Sequence, residues 1–225
     1  MVAALAEKAK FLERVEACRK IAAVKEPCGI EKAIRHKDKI SAVFLMTGNI
    51  MSVKNYADLF RKEGLPVFIH IEKIGGLSLN NEGLDFIADY VKPLGIVTTK
   101  PGLAAKAKKR RLMVIQRVFM IDSEVYDHVL ELGGPDGPDM IEIMPSRLPH
   151  IIQSLSEKLP VPVITGGLLT EREHAEESLS CGAVAVTTSN TGIWKEDLSK
   201  TGQKKRECLF NKDLQFHNTI LAKGM

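Results

Sequence analysis

Eight short apolar runs rich in β-branched residues recur along the chain, at residues 20–24, 42–47, 66–72, 95–99, 113–119, 140–144, 162–165 and 183–187, each followed by a helix-permissive segment. Successive starts lie 18 to 29 residues apart, the length of a strand plus a crossover helix. Strands alternating with helices predict a parallel sheet. Eight such units in 225 residues predict an α/β fold: a single (β/α)8 TIM-type barrel, slightly below the ~250 residues typical of that architecture. An open doubly wound sheet would require a glycine-rich fingerprint after its first strand, and Val24-Lys25-Glu26-Pro27-Cys28-Gly29 is not one.

The predicted barrel occupies residues 20–198. Ahead of it, Leu5, Ala9, Leu12 and Val15 or Glu16 stand at helical spacing, so residues 1–19 are expected to form an N-terminal amphipathic helix that caps the barrel floor. Beyond Trp194 the pattern stops; a short eighth helix and a polar, poorly ordered tail over 199–225 are expected. No apolar run reaches the ~20 residues of a membrane span, and no secretory leader pattern opens the chain, so a cytoplasmic protein without a membrane partner is expected. The four cysteines, Cys18, Cys28, Cys181 and Cys208, lack metal-ligand spacing and read as inert thiols. A net charge of +4 tolerates a nucleic-acid partner without demanding one.

Barrel sites are built at the C-terminal ends of strands. Gly166 and Gly167 close the seventh run, and Thr187, Thr188, Ser189 and Asn190 close the eighth. Small residues there let backbone N–H groups approach a ligand, Asn190 or Thr191 could cap a short helix, and the loops after strands seven and eight commonly seat a phosphate. The bland alternative is that the glycines only turn the chain.

Strand parity groups Phe68, His70 and Glu72, then Ile96, Thr98 and Lys100, then Met140, Glu142 and Met144, with Arg117 in the fifth run. Lys100 and Arg117 could face an anionic ligand, and Glu142 and Glu72 could accept hydrogen bonds from its hydroxyls. An Arg117–Glu142 ion pair between adjacent strands, a satisfied His70 and a solvated Lys100 are the competing structural readings. No catalytic set and no metal cluster are expected. The run Lys106, Lys108, Lys109, Arg110 and Arg111 ends the fourth helix; it suits the helix dipole, or an RNA-phosphate patch at the barrel end opposite the phosphate cup.

The wording of the strand ends is more specific than the fold. Val-Phe-Ile-His-Ile-Glu at 67–72, Gly-Ile-Val-Thr-Thr-Lys at 95–100, Ile-Gln-Arg-Val-Phe-Met-Ile-Asp-Ser at 115–123, Ile-Glu-Ile-Met-Pro at 141–145, Ile-Thr-Gly-Gly-Leu at 164–168 and Val-Thr-Thr-Ser-Asn at 186–190 resemble the glycerol uptake operon antiterminator family. The resemblance spans roughly residues 20 to 195. It implies a regulator that responds to glycerol-3-phosphate, binds leader mRNA and prevents premature transcription termination, with no cofactor beyond that effector. It further implies that the phosphate sits at Gly166, Gly167, Thr188, Ser189 and Asn190, with Lys100, Arg117 and Glu142 completing the pocket. Two positions depart from the family pattern: Glu72 stands where an aspartate is usual, and Ala22-Ala23-Val24-Lys25 lacks a proline before its basic residue.

A TIM-barrel enzyme acting on a small phosphorylated polyol or sugar, as isomerase, epimerase or transferase, is the alternative, with Glu142 and His70 as its best acid–base pair. A homodimer would double the modest basic surface, although no exposed apolar stripe marks an interface.

Overall fold

The computed structural model describes residues 2–134 and 137–201. The tail expectation for 202–225 and the side chain of Leu5 lie outside the described residues.

All eight expected strands form: β1 (Lys20–Val24), β2 (Val43–Leu45), β3 (Val67–His70), β4 (Gly95–Thr98), β5 (Met113–Phe119), β6 (Met140–Met144), β7 (Val163–Gly166) and β8 (Ala185–Thr188). Each is parallel to its neighbours, and β8 pairs with β1 to close the barrel in sequence order. The helices are α1 (Val2–Cys18), α2 (Cys28–Arg35), α3 (Val53–Lys62), α4 (Asn81–Asp85), α5 (Ala104–Lys109), α6 (Ser123–Glu131), α7 (Pro149–Lys158), α8 (Arg172–Ser180) and α9 (Thr191–Lys195). A π-helical segment, Phe86–Val91, extends α4, and single 3-10 turns at Ile71–Lys73 and Pro101–Leu103 follow β3 and β4. Among the described residues no helix is long and apolar enough to cross a membrane.

Alternation along each strand divides the apolar residues between two layers. Ala22, Val43, Val67, Ile69, Ile96 and Val114 point outward against the helices, where Val53, Ala57 and Phe60 of α3 meet them at helical spacing. Ile21, Phe44, Phe68, Val97, Met113, Ile115, Met140, Ile164 and Ala185 fill the interior. Phe11 and Val15 of α1 belong to that same interior cluster, and the Phe11 ring lies 4.9 Å from that of Phe68.

The first helix packs against the interior layer, and its buried stripe shares Val15 with the one expected from sequence. Ala9 and Glu16 are exposed and Leu12 is half-buried, while among the described residues of the helix Phe11 and Val15 are fully buried. A spacing of four places the aromatic ring, the larger apolar body, on the buried side.

Candidate functional site

At the C-terminal end of the barrel a cavity of about 710 Å³ opens between the strand ends. Its polar wall comes from Gly167 and Thr170 after β7 and from Thr187, Thr188, Ser189 and Asn190 at the end of β8. Its opposite wall includes Met46 and Arg117. Two further cations, Lys25 just after β1 and Lys73 in the turn after β3, also line it. Both are exposed, and among the described residues neither has a hydrogen-bond or ion-pair partner.

The β7 and β8 ends are held by local chemistry. Gly167 (φ 76) and Leu168 (φ 57) take consecutive left-handed conformations, which turn the chain back across the mouth and favour glycine at the first position. The Gly167 carbonyl accepts from Ser146 Oγ at 2.7 Å, anchoring the turn to the segment after β6. Asn190 caps α9 by accepting from the Gly192 N–H at 2.9 Å, and its side-chain amide donates to the Thr170 carbonyl at 3.0 Å. One side chain thus ties the two walls of the cup together. Trp194 donates from its indole N–H to the Thr188 carbonyl at 2.8 Å, fixing the end of β8 from behind.

Beneath the cavity lies a buried polar network. Arg117 and Glu142 are register partners on β5 and β6, and Arg117 Nε donates to Glu142 Oε2 at 2.6 Å. The second carboxylate oxygen, Oε1, accepts a short hydrogen bond from the Thr187 hydroxyl. Glu142 is fully buried and Arg117 is 6% exposed, so the pair satisfies a charge that would otherwise be stranded in the core. Gly166 makes this closure sterically feasible: a Cβ there would stand 2.0 Å from Thr187 Oγ1 and 3.0 Å from Glu142 Oε1.

The structure divides the residues singled out from the sequence. Gly167, Thr188, Ser189, Asn190 and Arg117 line the cavity together. Gly166 and Glu142 lie directly below them through the Thr187 network. Lys100, His70 and Glu72 are not among the lining residues. On β4 the residue facing the barrel interior is Val97, so the Ile96–Thr98 face looks toward the helices. Lys100 is exposed at the head of the turn Pro101–Leu103, the solvated alternative weighed from sequence.

Glu72 is committed elsewhere. Its Oε1 accepts from the Thr98 hydroxyl and, at 3.0 Å, from the Thr99 N–H. His70 Nδ1 lies 3.0 Å from Glu72 Oε2, off the axis of a well-formed hydrogen bond. Burial alone would push the Glu72 carboxyl up, but His70, the Thr98 hydroxyl and the backbone N–H groups of Glu72 and Thr99 outweigh it and hold the group at about 2. This cluster fastens the end of β3 to the end of β4.

In the basic run, Lys106, Lys109 and Arg111 are exposed and Lys108 is half-buried. Arg110 is engaged: its Nε donates to Asp85 at 2.5 Å and its Nη1 to the Lys106 carbonyl at 3.0 Å, clasping α5 to α4. The cavity-lining cations that sequence reading missed are Lys25 and Lys73. Lys25 carried a legible signal, since it continues the inward parity of Ile21 and Ala23; Lys73 did not, because a 3-10 turn replaces the strand expected there.

The family model for the glycerol-3-phosphate responsive antiterminator matches residues 20–194. The chain is 30% identical over 174 residues to "Uncharacterized protein YgcP" of Escherichia coli K12, covering 77% of this chain and 90% of that one. A glycerol uptake operon antiterminator regulatory protein of Listeria monocytogenes superposes with a TM-score of 0.73 at 31% identity, covering 78% of this chain and 94% of its own. A glycerol uptake operon antiterminator-related protein of Thermotoga maritima gives 0.70 at 26% identity, covering 80% and 99% respectively. With the eight-stranded barrel and the small-residue cup in place, these similarities assign the chain: it belongs to the glycerol-3-phosphate responsive antiterminator family.

Proposed function

We propose that the protein is a sensor of glycerol-3-phosphate that binds leader mRNA and controls transcription termination in genes of glycerol uptake and metabolism. The observation that carries the reading is the cation-rich, carboxylate-free lining of the mouth cavity. Lys25, Lys73 and Arg117 line it, among the described residues no Asp or Glu does, and the Arg117 charge is already balanced by buried Glu142. Two uncommitted lysines match the charge of about −2 on a phosphomonoester. The phosphate sits at the Gly167 and Thr188–Asn190 wall, next to Lys25, because β1 adjoins β8 in the barrel. The hydroxyls of Thr170, Thr188 and Ser189 supply polar partners for the glycerol end.

A regulator needs binding without turnover, and the commitment of the acid–base candidates supports that reading over the enzyme. Both carboxylate oxygens of Glu142 already accept hydrogen bonds, one from Arg117 and one from Thr187. His70 is buried outside the cavity lining. Neither is placed to take a proton from a bound polyol.

The test is titration calorimetry with glycerol-3-phosphate, with glycerol and inorganic phosphate as controls, followed by leader-RNA binding with and without effector. Binding that needs both halves of the ligand, returns it unchanged and strengthens RNA affinity is the expected result. Conversion of the ligand would place the chain among the enzymes of this fold; no binding would remove the effector role. Since an effector shifts an equilibrium only by its differential affinity for two states, the ratio of RNA affinities measures the coupling directly.

A further inference from the structure

We propose that the N-terminal end of the barrel is an RNA-docking face, at which the phosphate backbone of a paired RNA lies in the groove beneath α1 and along the adjoining starts of β4 and β5. The inference rests on the regulator reading and adds to it the surface and the form of RNA. The groove, of about 270 Å³, is lined by Glu7 and Lys10 of α1, by Arg61 and Gly64 at the end of α3, and by Lys92 and Leu94 before β4. Leu94 and Met113 are joined backbone to backbone at 3.1 Å, so the segments carrying Lys92 and Arg111 enter the barrel side by side. The exposed part of the basic run therefore adjoins the groove.

Four cations of this face, Lys10, Lys92, Lys109 and Arg111, are exposed, and none has a side-chain partner among the described residues. By contrast Arg61 is engaged with Asp58 and with the Val91 and Lys92 carbonyls, and Arg110 with Asp85. These two brace the groove rather than offer charge. Helix dipoles account for cations after helix ends, which covers Lys92, Lys109 and Arg111. They do not account for Lys10, which stands in the middle of α1 yet faces the same groove. Among the described residues the lining itself sets free Lys10 and Lys92 against Glu7, and Lys109 and Arg111 extend the free charge beyond it, which describes a track for a polyanion with repeated charges. Among the described residues no aromatic side chain lines the groove. Unstacked bases would find no platform there, whereas the backbone of a hairpin stem needs only phosphate contacts.

Lys92 (φ 56) and Arg111 (φ 63) both occupy the left-handed region. Asparagine tolerates that conformation, so Lys92→Asn and Arg111→Asn remove charge while respecting the backbone. The experiment measures anisotropy of a fluorescein-labelled RNA hairpin, an oligouridylate and polyglutamate on the full chain, for wild type and for Lys10→Gln/Lys92→Asn/Arg111→Asn, across a salt series. Each phosphate that is no longer neutralised lowers the slope of log affinity against log salt by about 0.9. The triple variant should thus lose a slope of about 2 to 3 and at least ~100-fold in hairpin affinity at about 0.1 M salt. Its affinity for glycerol-3-phosphate, bound at the far end, should not change. The double variant Lys92→Asn/Arg111→Asn repeats the test should the triple fail to fold, with a slope lower by about 2 as the expected result. Unchanged hairpin affinity and slope in a wild type that binds RNA would overturn the face alone. Tighter binding of polyglutamate than of the hairpin would assign the face to an acidic protein. A wild type silent toward all RNA would overturn the regulator reading itself, and the docking face with it.

Discussion

Replacing Gly166 by alanine is a sharp test of how the mouth is built. The added Cβ would fall 2.0 Å from Thr187 Oγ1 and 3.0 Å from both Glu142 Oε1 and the Thr187 carbonyl. The hydroxyl cannot remain between the new methyl and the carboxylate, so the Thr187–Glu142 hydrogen bond breaks, leaving one oxygen of a fully buried carboxylate unsatisfied. A lost hydrogen bond to a charged group costs ~1.5–3 kcal/mol, and forcing a methyl into a packed core costs ~1–3 kcal/mol. Together about 4 kcal/mol is expected, or a fall in Tm of roughly 8–16 °C for a domain of this size. Urea denaturation of Gly166→Ala, Thr187→Ala and the double variant closes a cycle. Thr187→Ala forfeits the same hydrogen bond but removes the clashing oxygen, so Gly166→Ala on that background should cost only ~1 kcal/mol more. A coupling of about 3 kcal/mol follows. Losses that add within ~0.5 kcal/mol would refute the claim that the glycine exists to let these two side chains meet.

Other perturbations separate the ligand contacts from the scaffold. Lys25→Ala and Lys73→Ala should each weaken glycerol-3-phosphate binding by about tenfold or more in calorimetry, the loss of one charge-assisted contact, while Lys100→Ala leaves it unchanged. Arg117→Ala should cost ~3–5 kcal/mol in chemical denaturation, because it strands the Glu142 carboxylate, and a stable, ligand-deficient variant would contradict this account. Since the Glu72 carboxyl is held at about 2 in the fold, its contribution is present at neutral pH and is lost as pH falls from the unfolded value of ~4.3 through about 2. The full shift corresponds to about 3 kcal/mol, which solvent screening at this partly exposed group reduces to about 1–2 kcal/mol; Glu72→Gln should flatten the acid limb of stability by that amount in denaturation curves at pH 2 to 5.

The barrel was legible because eight apolar runs at a regular cadence leave few other closed arrangements, and β1, β5 and β6 coincide residue for residue with the runs read from sequence. The cup at Gly167 and Thr188–Asn190 was legible for the same reason, since counting strands assigned it to the seventh and eighth loops. Parity was less reliable at strand ends. It placed Lys100 at the mouth on the assumption that the Ile96 face looks inward, whereas Val97 holds that position; alternation gives two faces but not which one is the core. It also carried β3 through Glu72, where the chain instead winds into a 3-10 turn that sends Lys73 to the cavity and Glu72 to Thr98. Arg117, on sequence grounds a clamp or an ion pair, is an ion pair that also lines the cavity. In the basic run, sequence alone could not set Arg110, clasped to Asp85, apart from its exposed neighbours.

The first helix does more than close the floor. Phe11 stands inside the barrel against Phe68, and the adjacent residue, Lys10, stands in the groove outside. Consecutive residues on one rigid turn cannot move independently, so outward traction on Lys10 is traction on a ring worth ~1.5–3 kcal/mol of buried surface. The barrel is corked by the same piece of backbone that a polyanion would grip from below. A close-packed interior has no slack to absorb such a pull. A pull on Lys10 from below is therefore borne by the contact between Phe11 and Phe68.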